Sequence, residues 1–565
     1  MSEILLDALS VVRGYLIQNY NKGEQDTVWN EIFEVTRNRA GDSIYPKGAY
    51  EQDTSKYGYE KTQEILSCLN EKESIRKTKG VYYTPSDIVR FILLNSARLA
   101  CENLSPETIR AEDYQGILPE KFCFEMSVYD PTCGTGVFLL EALALKLDML
   151  KSLRKEPKRD EIRKIVLSVK GNDLNRDSVA IAKMKQLLCV LHKYGVSMVK
   201  GMAKVLASCF TCHDFINGQP VSAESDKAPC RYDIIFGNPP YVEDSRSEFV
   251  PQKKYGNIYA NVLENAAFRL KPGGVLGFVI PLSYVSTPRM RQIRQELYEH
   301  VPKQYILSYS DRPDCLFRSV HQKLCIFFGK NTDGGRRIFT GNYRYWYREE
   351  RENLFRTAEI IENEFAAEEY IPKLGTKTDA DIYRKLAEMP AALSDVLKRR
   401  KTGDGKGANI FLNMRAAFWM KAFLHEHAGS EYKRFYCEDN NLACLCMCLL
   451  NSSLFWWYWV CVSDCWHITG KELDGFRIPD VRGAGDFAEL GRLARLLEDK
   501  LEETKLYVGT KQTEYEYKHK DCAEVIHQVD GCIHRLYGLT EEEGDYIKNF
   551  AFRYRIGEGV KNQQD

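Results

Sequence analysis

The stretch Ser127-Val-Tyr-Asp130-Pro131-Thr-Cys133-Gly134-Thr-Gly136-Val137-Phe-Leu-Leu reads as a strand, a glycine turn and a helix in immediate succession. Residues 127–129 form a short apolar run, and residues 137–150 carry apolar side chains at helical spacing. Between them, Gly134 and Gly136 permit a tight turn and let a ligand approach the backbone closely. No Lys-Ser/Thr pair follows, so this is not a phosphate loop. Taken alone, the segment also fits an ordinary turn.

Working outward, further short apolar or β-branched runs recur at 165–169, 234–236, 275–280 and 324–328, with a helical pattern at 178–191. Strands alternating with helices predict an α/β fold, a doubly wound, mostly parallel sheet with helices on both faces, over residues 76–345. Ligands of such sheets sit beyond the carboxyl ends of the strands. Residues 1–75 read as a helical extension with a Pro/Gly-bearing loop at 44–58. After residue 345 the pattern changes: 346–380 reads as charged and helical, 391–480 as short strands and loops with a tryptophan-rich run, and 485–536 as a long mixed-charge helical stretch. The expected units are therefore 1–75, 76–345, 346–484 and a helical tail, 485–565. At about 150 residues per domain, the 565 residues predict three or four units.

The 79 basic and 79 acidic side chains cancel, so any polyanion partner must be held by local charge. The N-terminus MSEILLDALS has no basic segment and apolar run of the signal-peptide kind, which predicts a cytoplasmic, reducing setting and mostly free thiols among the 18 cysteines. Residues 442–462 approach bilayer-spanning length, but Asn451, Ser452 and Ser453 interrupt the run, and two buried core segments are expected instead of a membrane span.

Three constellations carry chemistry. Beside the glycine turn, Gly171-Asn-Asp173-Leu174 follows the next predicted strand, where an acid can accept hydrogen bonds from a ribose and a leucine can pack on a base. Asp214-Phe215 offers a second carboxylate beside a ring at another strand end. The third is Asp233-Ile-Ile-Phe-Gly-Asn238-Pro239-Pro240-Tyr241, an apolar strand delivering an amide, a diproline and an aromatic to its end. The Asn238 side-chain carbonyl and the Pro239 backbone carbonyl are two acceptors for one exocyclic amine, and together they aim its lone pair at an electrophile. Tyr241 can stack on the base that carries the amine.

With these residues the chain resembles the gamma-class, N6-adenine-specific DNA methyltransferases of restriction–modification systems, the Eco57I/TaqI-like family. The resemblance also takes in Gly80-Val-Tyr-Tyr83-Thr84-Pro85, Lys271-Pro-Gly-Gly274, Leu316-Phe317 and Leu450-Asn-Ser-Ser-Leu-Phe-Trp-Trp457. It implies a Rossmann-like methyltransferase domain using S-adenosylmethionine, followed by a mixed α/β target-recognition region. It places Tyr83, Thr84, Pro85, Asp130, Pro131, Cys133, Gly134, Gly136, Asp173, Leu174, Asp214 and Phe215 at the cofactor, and Asn238, Pro239, Pro240 and Tyr241 at the chemistry. Phe317 would help hold a flipped adenine, and no metal is implied. The chain departs from the pattern at Asn257-Ile-Tyr259, where relatives often carry Asp-Leu-Tyr. The implied partner is double-stranded DNA, with a monomeric enzyme and a separate cognate restriction endonuclease.

The basic clusters Lys253-Lys254, Arg289/Arg291/Arg294 and Lys398-Arg399-Arg400-Lys401 are the expected phosphate contacts. Other readings remain: RNA or protein-glutamine methyltransferases share the amine-positioning motif, and a catalytically silent DNA-binding subunit is a third. Cys209-Phe-Thr-Cys212-His213 has haem-attachment spacing, but it adjoins Asp214 inside an α/β unit. Cys461, Cys465 and His467 lack a fourth zinc ligand. Pro479-Asp480 with Glu498-Asp-Lys500 mimics a nuclease pattern, yet its second half falls in a helical run.

Overall fold

A computed structural model describes residues 2–36, 58–69, 84–101, 118–217, 231–246, 251, 253–317, 321–356, 358–399, 407–480 and 487–557. Tyr83, Arg400 and Lys401 lie outside the described residues, as do most of the 44–58 loop and the glycine-rich stretch 402–406.

Among the described residues, nine strands form one sheet: β1 (Val128–Asp130), β2 (Val169–Asn172), β3 (Phe210–Thr211), β4 (Tyr232–Gly237), β5 (Leu270–Pro281), β6 (Lys303–Tyr309), β7 (Leu324–Lys330), β8 (Arg337–Arg344) and β9 (Ile361–Glu362). Their order is β3-β2-β1-β4-β5-β7-β6-β8-β9. The block β3-β2-β1-β4-β5 is parallel throughout, β7 inserts antiparallel between β5 and β6, and β9 closes the far edge antiparallel to β8. The chain winds one way from β1 through β2 to β3, then returns to place β4 on the other side of β1. The reversal creates a topological switch point between β1 and β4, where a crevice opens beyond the strand ends.

Two apolar cores flank the sheet. One joins the helices Ser86–Cys101, Val137–Leu153 and Arg176–Tyr194 and the N-terminal helices Glu3–Asn19 and Lys22–Thr36. The other runs from the opposite face, through the helix Ile258–Ala267, into the C-terminal half without a break.

Residues 165–167 are the end of the helix Arg159–Leu167 rather than a strand, and β2 begins only at Val169. Ile162, Ile165 and Val166 are its buried face, the i, i+3, i+4 spacing of an amphipathic helix. Segment 346–380 is also mostly not helical. It holds the short 3-10 turn Arg348–Asn353, β9, and an extended passage up to the helix Lys377–Ala387. The buried guanidinium of Arg294 pins that passage by donating to the carbonyls of Glu368 and Glu369, both at 2.7 Å, and to those of Tyr284 and Thr287. Arg294 is thus a clamp within the fold and is withdrawn as a phosphate contact.

The tryptophan-rich run divides where the polar triplet predicts. The helices Asn440–Asn451 and Ser453–Val462 meet at an angle of 59°, with Ser452 capping the second by accepting from Phe455 N at 3.1 Å. No single helix among the described residues is long and apolar enough to cross a membrane. The 485–536 stretch resolves into the helices Phe487–Glu503 and Ala523–Leu536 with a small hairpin between them. The Thr540/Glu543 capping box opens the next helix.

Candidate cofactor and methyl-transfer site

The glycine loop leaves the end of β1 at Asp130, which is 1% exposed and accepts a hydrogen bond from Thr132 N at 3.1 Å. Burial pushes its carboxyl well above the ordinary range, opposed by the Thr132 N–H and reinforced by the charge of Asp173. Gly136 sits at φ +77° with the position of a Cβ 2.7 Å from that of Ala182, so only glycine fits where the loop meets the neighbouring helix. Beside Gly134 the space is open for 4 Å. The buried Cys133 thiol is pushed up by desolvation and is not poised as a nucleophile.

Asp173, just past β2, holds the loop directly. Its carboxylate accepts from Gly134 N and from Asn175 N, both at 2.8 Å. Leu174 is 49% exposed beside it, a large apolar surface at the mouth of the crevice. Asp214 closes a local turn by accepting from Ile216 N and Asn217 N. Phe215 is buried beneath Arg269, whose guanidinium lies 4.6 Å from the ring centroid.

Sequence reasoning passed over the residue that joins these loops. Asn172, 1% exposed, donates to the carbonyls of Pro131 at 3.1 Å and His213 at 3.0 Å, and accepts from the Thr211 hydroxyl at 2.9 Å and His213 N at 3.2 Å. One amide thereby ties together the loops after β1, β2 and β3. Its only signal was its place inside Gly171-Asn-Asp173. A second support comes from the N-terminal extension. Thr135 donates to the carbonyl of Ser67, whose hydroxyl accepts from the buried Lys185 at 2.6 Å.

Across the switch point, β4 ends at Gly237, where a Cβ would lie 2.8 Å from Asp130 Oδ1. This close approach couples the glycine loop to the Asn238 turn. The Asn238 amide donates to the Thr84 hydroxyl at 3.1 Å, which turns its carbonyl the other way. Thr84, expected at the cofactor, therefore contacts the motif expected to carry the chemistry, while Pro85 lies at the start of the following helix and accepts from Ile88 N at 3.1 Å. Pro239 is buried and Pro240 half-buried. The Tyr241 hydroxyl donates to the carbonyl of Val279 at 2.8 Å, which fixes the ring at the strand ends. Phe317 is buried in the core that includes Phe91 and Leu324. Asn257 caps its helix by accepting from Tyr259 N, so the departure at this position leaves the helix start supported.

The basic residues are unequal. Lys253 is bridged to Glu264 at 2.8 Å and to Glu296, so its charge is already matched within the protein. Lys254 is exposed. Lys398 forms a backbone ladder with Tyr436, and Arg399 is exposed beside Gly470.

The crevice thus places a glycine loop, the Asp173 carboxylate and an amide–diproline turn on one sheet edge. Residues 168–313 match the family described as Eco57I restriction-modification methylase. No curated protein sequence matches the chain. Among solved structures, the chain is similar to DrdV in its complex with DNA (16% identity, TM-score 0.43, covering 65% of this chain and 39% of that one). It is also similar to the type IIL restriction-modification enzyme MmeI bound to DNA (11% identity, TM-score 0.49, 98% and 94%). A third likeness is to the type I methyltransferase subunit from Streptococcus thermophilus (15% identity, TM-score 0.33, 50% and 50%). The chain spans well under half of DrdV's length. The doubly wound sheet, with its antiparallel β7, has the Rossmann-like methyltransferase arrangement.

Proposed function

We propose that this chain is a site-specific DNA methyltransferase that moves the methyl group of S-adenosylmethionine to adenine N6 in a short duplex sequence. The observation that supports this most is the meeting of Asp130 and Asn238 across one switch point, with Gly237 pressed against the Asp130 carboxylate.

The residues present fit the cofactor: open space beside Gly134, the Asp173 carboxylate for ribose hydroxyls, and the exposed Leu174 for a base. Asp214 and Phe215 complete that side, with Phe215 shaping the wall from within the core. When bound, S-adenosylmethionine supplies an electrophilic methyl group.

The carbonyls of Asn238 and Pro239 accept the two amine hydrogens of adenine, turning its nitrogen lone pair toward that group. As positive charge develops on nitrogen, the same carbonyls stabilise it without moving. Pro240 stiffens the turn that holds them, and the amine then releases a proton to solvent. The target base must leave the duplex stack to reach this turn. Tyr241 offers it a ring held by Val279, and Phe317, buried in the core, would support the pocket from behind. Lys254, Lys398 and Arg399, with Arg400 and Lys401, would contact phosphates. The working form is a monomer in the cytoplasm on double-stranded DNA, with any cognate endonuclease on a separate chain.

Single-molecule sequencing of DNA from cells expressing the chain tests the reading. One sequence motif carrying N6-methyladenine is the expected result. An unmarked genome would overturn it in favour of an RNA or protein-glutamine substrate, or of a silent DNA-binding subunit.

A further inference from the structure

A cavity of about 540 Å³ opens between the loop after β6 and the C-terminal half, well within the ~300–1,000 Å³ typical of small organic ligands. Because β4 is parallel to β5, and β7 is antiparallel to both β5 and β6, the end of β6 lies on the same sheet edge as Asn238. Its lining, however, includes neither Asn238 nor Tyr241.

Lys421, Glu431 and Glu516 line the cavity as well, while three cations gather around Trp466. Lys323 Nζ lies 4.1 Å from its ring centroid, the Arg415 guanidinium 4.6 Å and that of Arg312 5.8 Å. Lys323 is paired with Asp311 at 3.4 Å. Arg312 and Arg415 are exposed, and neither has a carboxylate within 4.0 Å among the described residues. Three cations around one indole repel each other, and the ring's attraction offsets this only in part. An anion between the two arginines would relieve it.

Other lining residues carry the opposite need. Asp311 Oδ2 and His519 Nε2 belong to buried side chains and have no hydrogen-bond partner among the described residues. His519 Nδ1 faces the carbonyl of Tyr517 at 3.2 Å and must therefore carry the proton, which leaves Nε2 as an acceptor. Burial keeps that ring neutral, its pKa pushed down to about 3. Two buried acceptors, with an aromatic ring and two unpaired arginines lining the same cavity, call for a ligand with N–H donors, a flat face and an anionic end.

We propose that this cavity binds one nucleotide, with its phosphate at Arg312 and Arg415, its base against Trp466, and its N–H donors toward Asp311 and His519. Two sources share that chemistry: a nucleotide unit of the polynucleotide, and a free mononucleotide. Only the first rests on the methyltransferase reading.

The test uses the full chain and the variants Trp466→Ala and Arg415→Ala, with melting temperature as the check on folding. Calorimetry measures GMP and ribose 5-phosphate, and fluorescence anisotropy measures duplex DNA. GMP binding weakened about tenfold or more by either variant, with ribose 5-phosphate about tenfold weaker than GMP, supports a mononucleotide site. No GMP binding, with DNA affinity reduced about tenfold by both variants, supports a site for a unit of the polymer. Equal binding of GMP and ribose 5-phosphate, or insensitivity of both GMP and DNA binding to the variants, overturns the inference. Should either variant melt early, Asp311→Asn replaces it and the same criteria apply. Failure of methyl transfer by the unaltered chain, with GMP still bound in an Arg415-dependent way, would sink the methyltransferase reading and leave this site standing. Methyl transfer with binding indifferent to Trp466 and Arg415 would do the reverse.

Discussion

Asn172→Asp is nearly isosteric and probes how the loops of the proposed cofactor site are held. The native amide donates to the carbonyls of Pro131 and His213, and its oxygen accepts from Thr211 and His213. A carboxylate keeps the two accepted bonds and loses both donated ones, at ~1 kcal/mol each. It also faces two carbonyl oxygens at 1% exposure, next in sequence to Asp173, so it either remains charged unfavourably or takes up a proton and regains one donor. The sum is about 2–4 kcal/mol of lost stability. The sign with pH follows. A carboxyl whose folded pKa is raised above its unfolded value loses stability as pH rises, so the penalty should be smaller at pH ~5 than at pH ~8. Urea unfolding at the two pH values measures this, and calorimetry with S-adenosylmethionine should show affinity down about tenfold or more as the loops separate. An unfolding midpoint equal to that of the native chain at both pH values, with unchanged cofactor affinity, would refute the reasoning.

Other perturbations separate the remaining roles. Gly237→Ala places a methyl 2.8 Å from Asp130 Oδ1 and should lower stability by about 1–3 kcal/mol while impairing turnover, as read by thermal melting and a methylation assay. Asp173→Ala should weaken S-adenosylmethionine binding by calorimetry, and unchanged affinity would count against its ribose role. His519 is held neutral with its pKa pushed down to about 3 by burial, so its unfolded form binds protons first and stability falls as pH drops from 6.5 toward 3. This one group removes about 2 kcal/mol at pH 5, and His519→Gln should show a correspondingly smaller drop in melting temperature between pH 7 and 5. Lys398→Ala with Arg399→Ala should weaken binding to every DNA sequence alike and flatten the salt dependence, whereas an effect limited to one base position would contradict phosphate contact.

The sheet was legible because its strands are buried on both faces and read as apolar runs, as at 234–236 and 275–280. The run at 165–169 misled for the same reason: three of its residues close an amphipathic helix, visible only when Ile162 is counted with them. Charge density at 346–380 suggested a helix, but that segment is fastened by Arg294 through backbone carbonyls, a long-range contact that no local pattern encodes. At the candidate site, Asp130 and Asn238 stood out because glycine or proline, which mark turns, adjoins each, and Asp173 because it lies two residues after Gly171 at a strand end. Asn172 could not, since it acts through bonds to residues distant in sequence, and Thr84, singled out only for a place at the cofactor, gave no local sign of its bond to Asn238. The ring of cations around Trp466 was hidden likewise, drawing Arg312, Lys323 and Arg415 from separate segments.

The most direct test of the central claim is an in vitro transfer assay with S-adenosylmethionine labelled in its methyl group and duplex DNA, followed by digestion to nucleosides. The account predicts label in N6-methyladenine alone, abolished by Asn238→Ala in a variant that still binds cofactor. Label in a cytosine product, no label in DNA, or near-normal turnover by Asn238→Ala would contradict it.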